Sequence, residues 1–395
     1  MRFFTSERVT AIMLLGAAAL GLVLANSPAG PALFHLQHAH FGFGTTRLSP
    51  NEWISNGLLA IFFFTAAVEL KHEIVAGELN SVSKALHPAI AAVCGVVAPA
   101  LIYLLFTAGT ELSRGWPIPT ATDIAFALGV LAVFGTGLPR AVRVFLLALA
   151  VLDDLIAIII IAVFFTTNPN IVDLGAAAIT LTLFGLLSRK LSRTNRWSLG
   201  PIVVVLALAT WWFVEDSGVH ATIAGVALGL VMARGPAGQV RHALEPWTNI
   251  VILPLFAFSA AMVAVPSVSP TELTGAFWGV FLGLPAGKII GISVGSWIGS
   301  LTRPRAQRRR FTMLGTLSIG ALGGIGFTVS LLMNELAFSP GSLVQREGTL
   351  AVLLGSGLAI VVASVLVTLY ARRERTRPPL AGPGRAPLRV PQPRQ

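Results

Sequence analysis

The chain has 395 residues, of which 54% are hydrophobic and 11% charged, against roughly 25% charged in an ordinary soluble domain. Most of its length cannot face water, and the apolar residues come as near-continuous runs of about 20, each long enough to cross a bilayer. Such runs lack the period-two alternation of an outer-membrane barrel, and the single cysteine, Cys94, excludes an intrachain disulfide.

Polar, Gly/Pro and Arg breaks delimit twelve apolar segments, beginning near residues 9, 53, 86, 119, 141, 172, 199, 218, 247, 274, 311 and 347. If they cross the membrane in turn, 24 of the 28 Lys and Arg residues fall on one side and only Arg47, Arg114 and Arg346 on the other, with Lys288 inside a segment. The basic side is cytoplasmic by the positive-inside rule, so both termini are expected in the cytoplasm. The same distribution accounts for the net charge of +11 without nucleic acid as a partner. The first segment follows Arg2 and Arg8 like a signal peptide, yet it is expected to be retained. Trp53, Trp116, Trp197, Trp211, Trp212 and Trp247 lie near segment ends and act as interfacial anchors. Residues 371–395 are rich in Arg and Pro and are predicted to form a disordered cytoplasmic tail near anionic headgroups.

Four charged residues lie at bilayer depth, where each costs about 2.5–3.5 kcal/mol on insertion scales and is a functional candidate by default. They are Asp123, the adjacent Asp153 and Asp154, and Lys288. Neighbouring helical residues project about 100° apart, so one aspartate of the doublet can hold an ion while the other meets a neighbouring helix. Two carboxylates in a poorly solvated site cannot both ionise easily and titrate as a coupled pair. A hard cation favours oxygen ligands, so the same oxygens carry either protons or an alkali ion. Occupancy by one excludes the other, which is the physical requirement for exchange. Lys288, costly if buried alone, is expected to pair with a carboxylate.

The fourth segment opens with Pro117 and Pro119, and the eleventh contains Gly315, Gly320, Gly323, Gly324 and Gly326. Both are predicted to be interrupted, and paired interrupted segments in two halves of a chain point to a binding site at the membrane midplane. Segments three to five and ten to twelve then form two units of opposite orientation.

Residues 121–132 (Ala-Thr-Asp-Ile-Ala-Phe-Ala-Leu-Gly-Val-Leu-Ala), 152–155 (Leu-Asp-Asp-Leu), 217–225 (Ser-Gly-Val-His-Ala-Thr-Ile-Ala-Gly), 252–258 (Ile-Leu-Pro-Leu-Phe-Ala-Phe) and 324–330 (Gly-Ile-Gly-Phe-Thr-Val-Ser) resemble the NhaA-type sodium/proton antiporters. The likeness runs from about residue 3 to 370. It implies an all-α membrane protein of about twelve transmembrane helices, with two inverted three-helix repeats and crossed discontinuous helices four and eleven. It also implies a core (86–165 and 274–370) moving against an interface unit (9–72 and 172–266) that forms a homodimer. The implied activity is electrogenic exchange of two protons for one Na+ or Li+, with Asp153 and Asp154 binding cation and protons. In that resemblance Lys288 pairs with Asp153, Asp123 compensates helix dipoles, and Thr122 helps to bind the cation.

Glu69 and Glu73, followed by Glu78, resemble the family's pH-responsive stretch, as do Arg241 and His242 before the ninth helix and His220 in its own motif. Arg241 stands where a well-regulated member carries an acid. No cofactor beyond the transported Na+, Li+ and H+ is expected, and no metal at the His35, His38 and His40 cluster, which lacks Cys or acidic companions. A Na+-coupled symporter of an organic anion is the alternative reading, because related inverted-repeat folds host both.

Overall fold

The computed structural model describes residues 7–39, 48–77, 79–166, 169–191, 195–265, 272–302 and 312–376. These are helical, with no strand among them. The helices are α1 (Glu7–Ala25), α2 (Gly30–His38), α3 (Pro50–Val75), α4 (Val82–Thr107), α5 (Ile124–Phe134), α6 (Arg140–Phe164) and α7 (Ile171–Lys190). They continue with α8 (Arg196–Asp216), α9 (Thr222–Val231), α10 (Arg234–Ala260), α11 (Gly275–Leu301), α12 (Met313–Gly323), α13 (Phe327–Ala337) and α14 (Leu343–Arg375). Among the described residues eight helices are long and apolar enough to cross a membrane, and up to eleven spans result if each of three bent pairs counts as one. The segment predicted from residue 218 is the ten-residue α9, too short to cross alone. His40, Glu78 and residues 377–395 lie outside the described residues. α14 is helical to Arg375, five residues into the predicted tail.

Two of the bent pairs are the interrupted segments. Pro117 and Pro119 leave the first half of segment four as short tight turns, Glu111–Gly115 and Ile118–Thr120, before a 41° bend into α5. α12 and α13 meet at 48° across Gly324 to Gly326. In the third pair, α1 and α2 bend by 111°. Asn26 holds that corner by donating to Leu22 O at 2.7 Å and Val263 O at 3.0 Å.

The close contact of α4 with α11 has a cause in the sequence. Gly283, Gly287, Gly291, Gly295 and Gly299 recur every four residues and turn one bare face of α11 against α4. A Cβ at Gly295 would stand 2.7 Å from Ala91 Cα, and one at Gly287 2.6 Å from Pro99 Cα. Along this seam α11 widens into a π-turn at Gly283–Gly287. Pro285 lacks an N–H and clashes with the carbonyl four residues earlier, and the wider turn absorbs both defects. Lys288 follows immediately.

Candidate ion-binding site

Arg143, Leu147, Val151 and Asp154 share one face of α6 and line a cavity of about 390 Å³. Opposite them stand Thr65 and Glu69 of α3, and Arg241, Glu245, Thr248 and Asn249 of α10. Thr122 and Asp123 at the first break, and Thr328 in the turn that follows the second, line a further part of the wall. The cavity reaches the surface at exposed Arg143 and half-buried Arg241, on the side to which the charge count assigns the cytoplasm.

The doublet divides as helical geometry requires. Asp153 points away from the cavity and accepts from Lys288 Nζ at 2.5 Å, with 2% and 0% of the two side chains exposed. Its second oxygen, Oδ1, is buried without a hydrogen bond, and Thr122 lies beside it. Asp154, one residue on, faces the cavity and takes no hydrogen bond or ion pair among the described residues. The charges of Asp153, Asp123, Glu69 and Lys288 all bear on it.

Asp123 stands between two helix beginnings. As N-cap of α5 its Oδ1 accepts from Phe126 N at 3.2 Å. Its Oδ2 accepts from Thr328 N at 3.2 Å and Thr328 Oγ1 at 2.6 Å, in the first turn of α13. Its own N–H donates to Ile325 O at 2.6 Å, and Thr122 Oγ1 donates to Gly323 O at 2.7 Å. The two breaks are thus joined by hydrogen bonds, and one carboxylate meets the positive ends of two half-helices.

At the mouth, Arg241 pairs with Glu69 at 3.2 Å, with the side chains 28% and 33% exposed. His242 is exposed and 3.9 Å from Glu245. Glu73 lies one turn beyond Glu69 and does not line the cavity. His220, before α9, is also outside it, its Nε2 buried without a partner. The structure therefore gathers Thr122, Asp123, Asp154, Glu69 and Arg241 around one space, sets Asp153 and Lys288 directly behind it, and leaves His220 elsewhere.

Glu245, Arg143, Asn249 and Thr328 also line the site, and none of them is among the candidates that the sequence offers. The recurrence of 143, 147, 151 and 154 on one helical face was the available signal for Arg143. Beyond the four charges singled out in the segments, Glu347 is fully buried near the start of α14. It accepts from Thr274 N at 3.1 Å and Thr274 Oγ1 at 2.5 Å, capping α11. Glu347 stands where the last segment begins, a position that looks interfacial in sequence, and packing against the start of α11 and against Asn334 of α13 encloses this stretch of α14.

Broken helices that meet beside an unpaired carboxylate, inside a bundle of apolar spans, define a polytopic membrane protein with a polar site in its interior. The chain belongs to the Na+/H+ antiporter 1 family, which it matches over residues 1–367. It is 57% identical over 379 residues to the Na+/H+ antiporter NhaA 2 of Clavibacter michiganensis subsp. michiganensis, covering 94% of this chain and 92% of that protein. It is 46% identical to the Na+/H+ antiporter NhaA of Tropheryma whipplei strain Twist, with 95% and 97% covered. Identity to the Na+/H+ antiporter NhaA 3 of Streptomyces coelicolor is 43%, with 92% and 79% covered.

Proposed function

We propose that this chain is a secondary active antiporter exchanging cytoplasmic Na+ or Li+ for external protons, with Asp154 as the residue that meets the cation. The observation that carries this reading is the unpaired Asp154 carboxylate on the cavity wall, with Asp153 held in reserve by Lys288 one residue behind it. A cation arriving at Asp154 draws Asp153 toward it and competes with Lys288 for that carboxylate. With the cation between the two carboxylates, Lys288 is left without its partner and gives up a proton; when the cation leaves, one proton returns to the Asp153–Lys288 pair and one goes to Asp154, so two protons replace one Na+. Exchange of two protons for one Na+ moves one net charge per cycle, so the reading includes electrogenic transport. Thr122 supplies an oxygen beside Asp153, and Asp123 holds the breaks in register.

In this reading residues 86–165 and 274–370 move against residues 9–72 and 172–266, which form a homodimer. The enclosing membrane is the bacterial inner membrane, with both termini cytoplasmic. Lipid contact is supported by exposed apolar side chains that water would not tolerate in number, such as Ile171, Ile179, Val205 and Leu208. Regulation by pH rests on Glu69, Glu73, Arg241 and His242 near the mouth, with His220 acting from a distance. Symport of an organic anion is disfavoured because Asp123, Asp154 and Glu69 face the cavity while Lys288 is tied to Asp153.

The test uses inside-out vesicles with an acid lumen, followed by a pH-sensitive dye as NaCl, LiCl or KCl is added. Na+ and Li+ are expected to discharge the gradient with the native protein and not with Asp154→Asn. A folded, inserted native protein that gives no response between about pH 6 and 9, where perturbed carboxylates titrate, would refute the proposal.

A further inference from the structure

A second cavity, of about 500 Å³, lies on the other side of Arg241 from the ion-binding cavity. One wall is the end of α3, with Lys71 and His72, and the other is a face of α10, with Arg234, Arg241, His242 and Glu245. Ala237 and Gly238 keep the floor between these charges low. Three permanent cations therefore surround the space against one carboxylate.

The cations are not balanced by acids of the crevice. Lys71 Nζ donates to Leu230 O and Met232 O, each at 2.7 Å, which satisfies the end of α9 without supplying an anion. Arg234 and Arg189 both bear on the Lys71 ammonium as like charges. Arg234 makes no hydrogen bond or ion pair among the described residues. Arg241 meets Glu69 through one nitrogen at 3.2 Å, and a guanidinium has five N–H donors. Glu245, the one carboxylate lining the crevice, sits at the far end of the face, 3.9 Å from His242.

We propose that this crevice binds a phosphate-bearing anion between Arg234, Arg241 and Lys71. Two guanidinium forks and an ammonium match the several acceptor oxygens of a phosphate better than a point anion such as chloride. The space accommodates either a free phosphate or a phospholipid headgroup at the basic membrane face. Binding sets the anion against Glu69 as a rival for Arg241, so occupancy is coupled to the charge at the mouth of the ion-binding cavity.

The experiment follows thermal unfolding of the full-length protein in a neutral detergent as inorganic phosphate is titrated, with choline chloride holding ionic strength constant. A second arm uses nanodiscs of phosphatidylcholine with or without phosphatidic acid. Two variants accompany the native protein: Arg234→Gln, and Gly238→Glu, whose added Cβ meets nothing within 4 Å. The expected result is a saturable stabilisation of the native protein, about tenfold weaker in Arg234→Gln, as the loss of a charged hydrogen bond implies, and absent in Gly238→Glu. Stabilisation by inorganic phosphate supports a free anion as ligand, and stabilisation by phosphatidic acid alone supports a headgroup. No response to either probe, or the same response in the native protein and both variants, overturns the site. On the exchange reading, bound phosphate also lowers the apparent KM for Na+. Binding is read without transport, so failure of the crevice and failure of that reading are distinguishable.

Discussion

The deep end and the mouth of the ion-binding cavity each set a carboxylate against a strong cation, but in different surroundings. Behind the cavity, Lys288 and Asp153 are 2.5 Å apart and almost wholly removed from solvent. At the mouth, Arg241 and Glu69 are 3.2 Å apart and about a third exposed. Inside, each charge has lost its water and depends on the other, so breaking the pair has to be compensated by another ion. At the surface, water replaces either partner at little cost. The same ion pair is thus a store of exchangeable charge in one place and an adjustable electrostatic collar in the other.

The largest effect is expected at the residue that neither pair restrains. Asp154→Asn keeps the shape of the side chain and removes its charge, so Na+-dependent discharge in vesicles should be abolished while gel-filtration behaviour and unfolding temperature stay near native. Next comes Lys288→Met, which strands Asp153 in the bundle. An uncompensated buried charge costs about 3–5 kcal/mol, and unfolding in detergent should show a loss of that order. Adding Asp153→Asn to Lys288→Met should restore more than half of it. If the double variant is as unstable as the single one, the pair is not what stabilises this contact. Asp123→Ala should follow at about 2–4 kcal/mol, since it removes the α5 cap and leaves the buried donors of Thr328 unsatisfied.

The contrast between the two ends was only partly legible beforehand. Asp153, Asp154 and Lys288 stand out because charge in an apolar run is improbable, and the 100° step between neighbours implies that the doublet divides. The breaks at Pro117 to Pro119 and Gly323 to Gly326 are local signals as well, because proline and glycine act on the backbone directly. Sequence patterning does not show which helix covers Glu347, since a residue near a span end looks the same under lipid headgroups or under α11. The pairing of Glu69 with Arg241 joins residues far apart in the chain and depends on how α3 and α10 meet. The five-glycine seam is visible as a four-residue period in α11, and Ala91, Gly95 and Pro99 repeat that spacing in α4, but nothing in either pattern alone says that the two face each other.

The pH dependence sharpens the view of the deep end. If protons and Na+ compete for the same oxygens, the apparent KM for Na+ must rise as pH falls. Linkage makes the slope equal to the number of protons displaced, about one decade of KM per pH unit for each. A slope near two over part of the range would mean that two protons, one from Asp154 and one from the Asp153–Lys288 pair, leave when the cation binds. A KM independent of pH would leave Asp154 as a cation ligand without a share in the proton.

The smallest effects are expected at the mouth, where their sign matters more than their size. Arg241→Gln and Glu69→Gln each remove one partner of a partly exposed pair, so neither should change stability by more than about 1 kcal/mol. Their effects on Na+ should be opposite. Removing Arg241 leaves the negative Glu69 at the entrance, and the apparent KM should fall by a few-fold at low ionic strength. Removing Glu69 leaves an unbalanced guanidinium in the path of the cation, and KM should rise. Both changes should shrink as salt rises toward 0.15 M, where the screening length is about 8 Å. Effects of the same sign in both variants would mean that the pair acts by holding α3 to α10 rather than by its field. The collar and the buried pair would then differ in degree of burial alone.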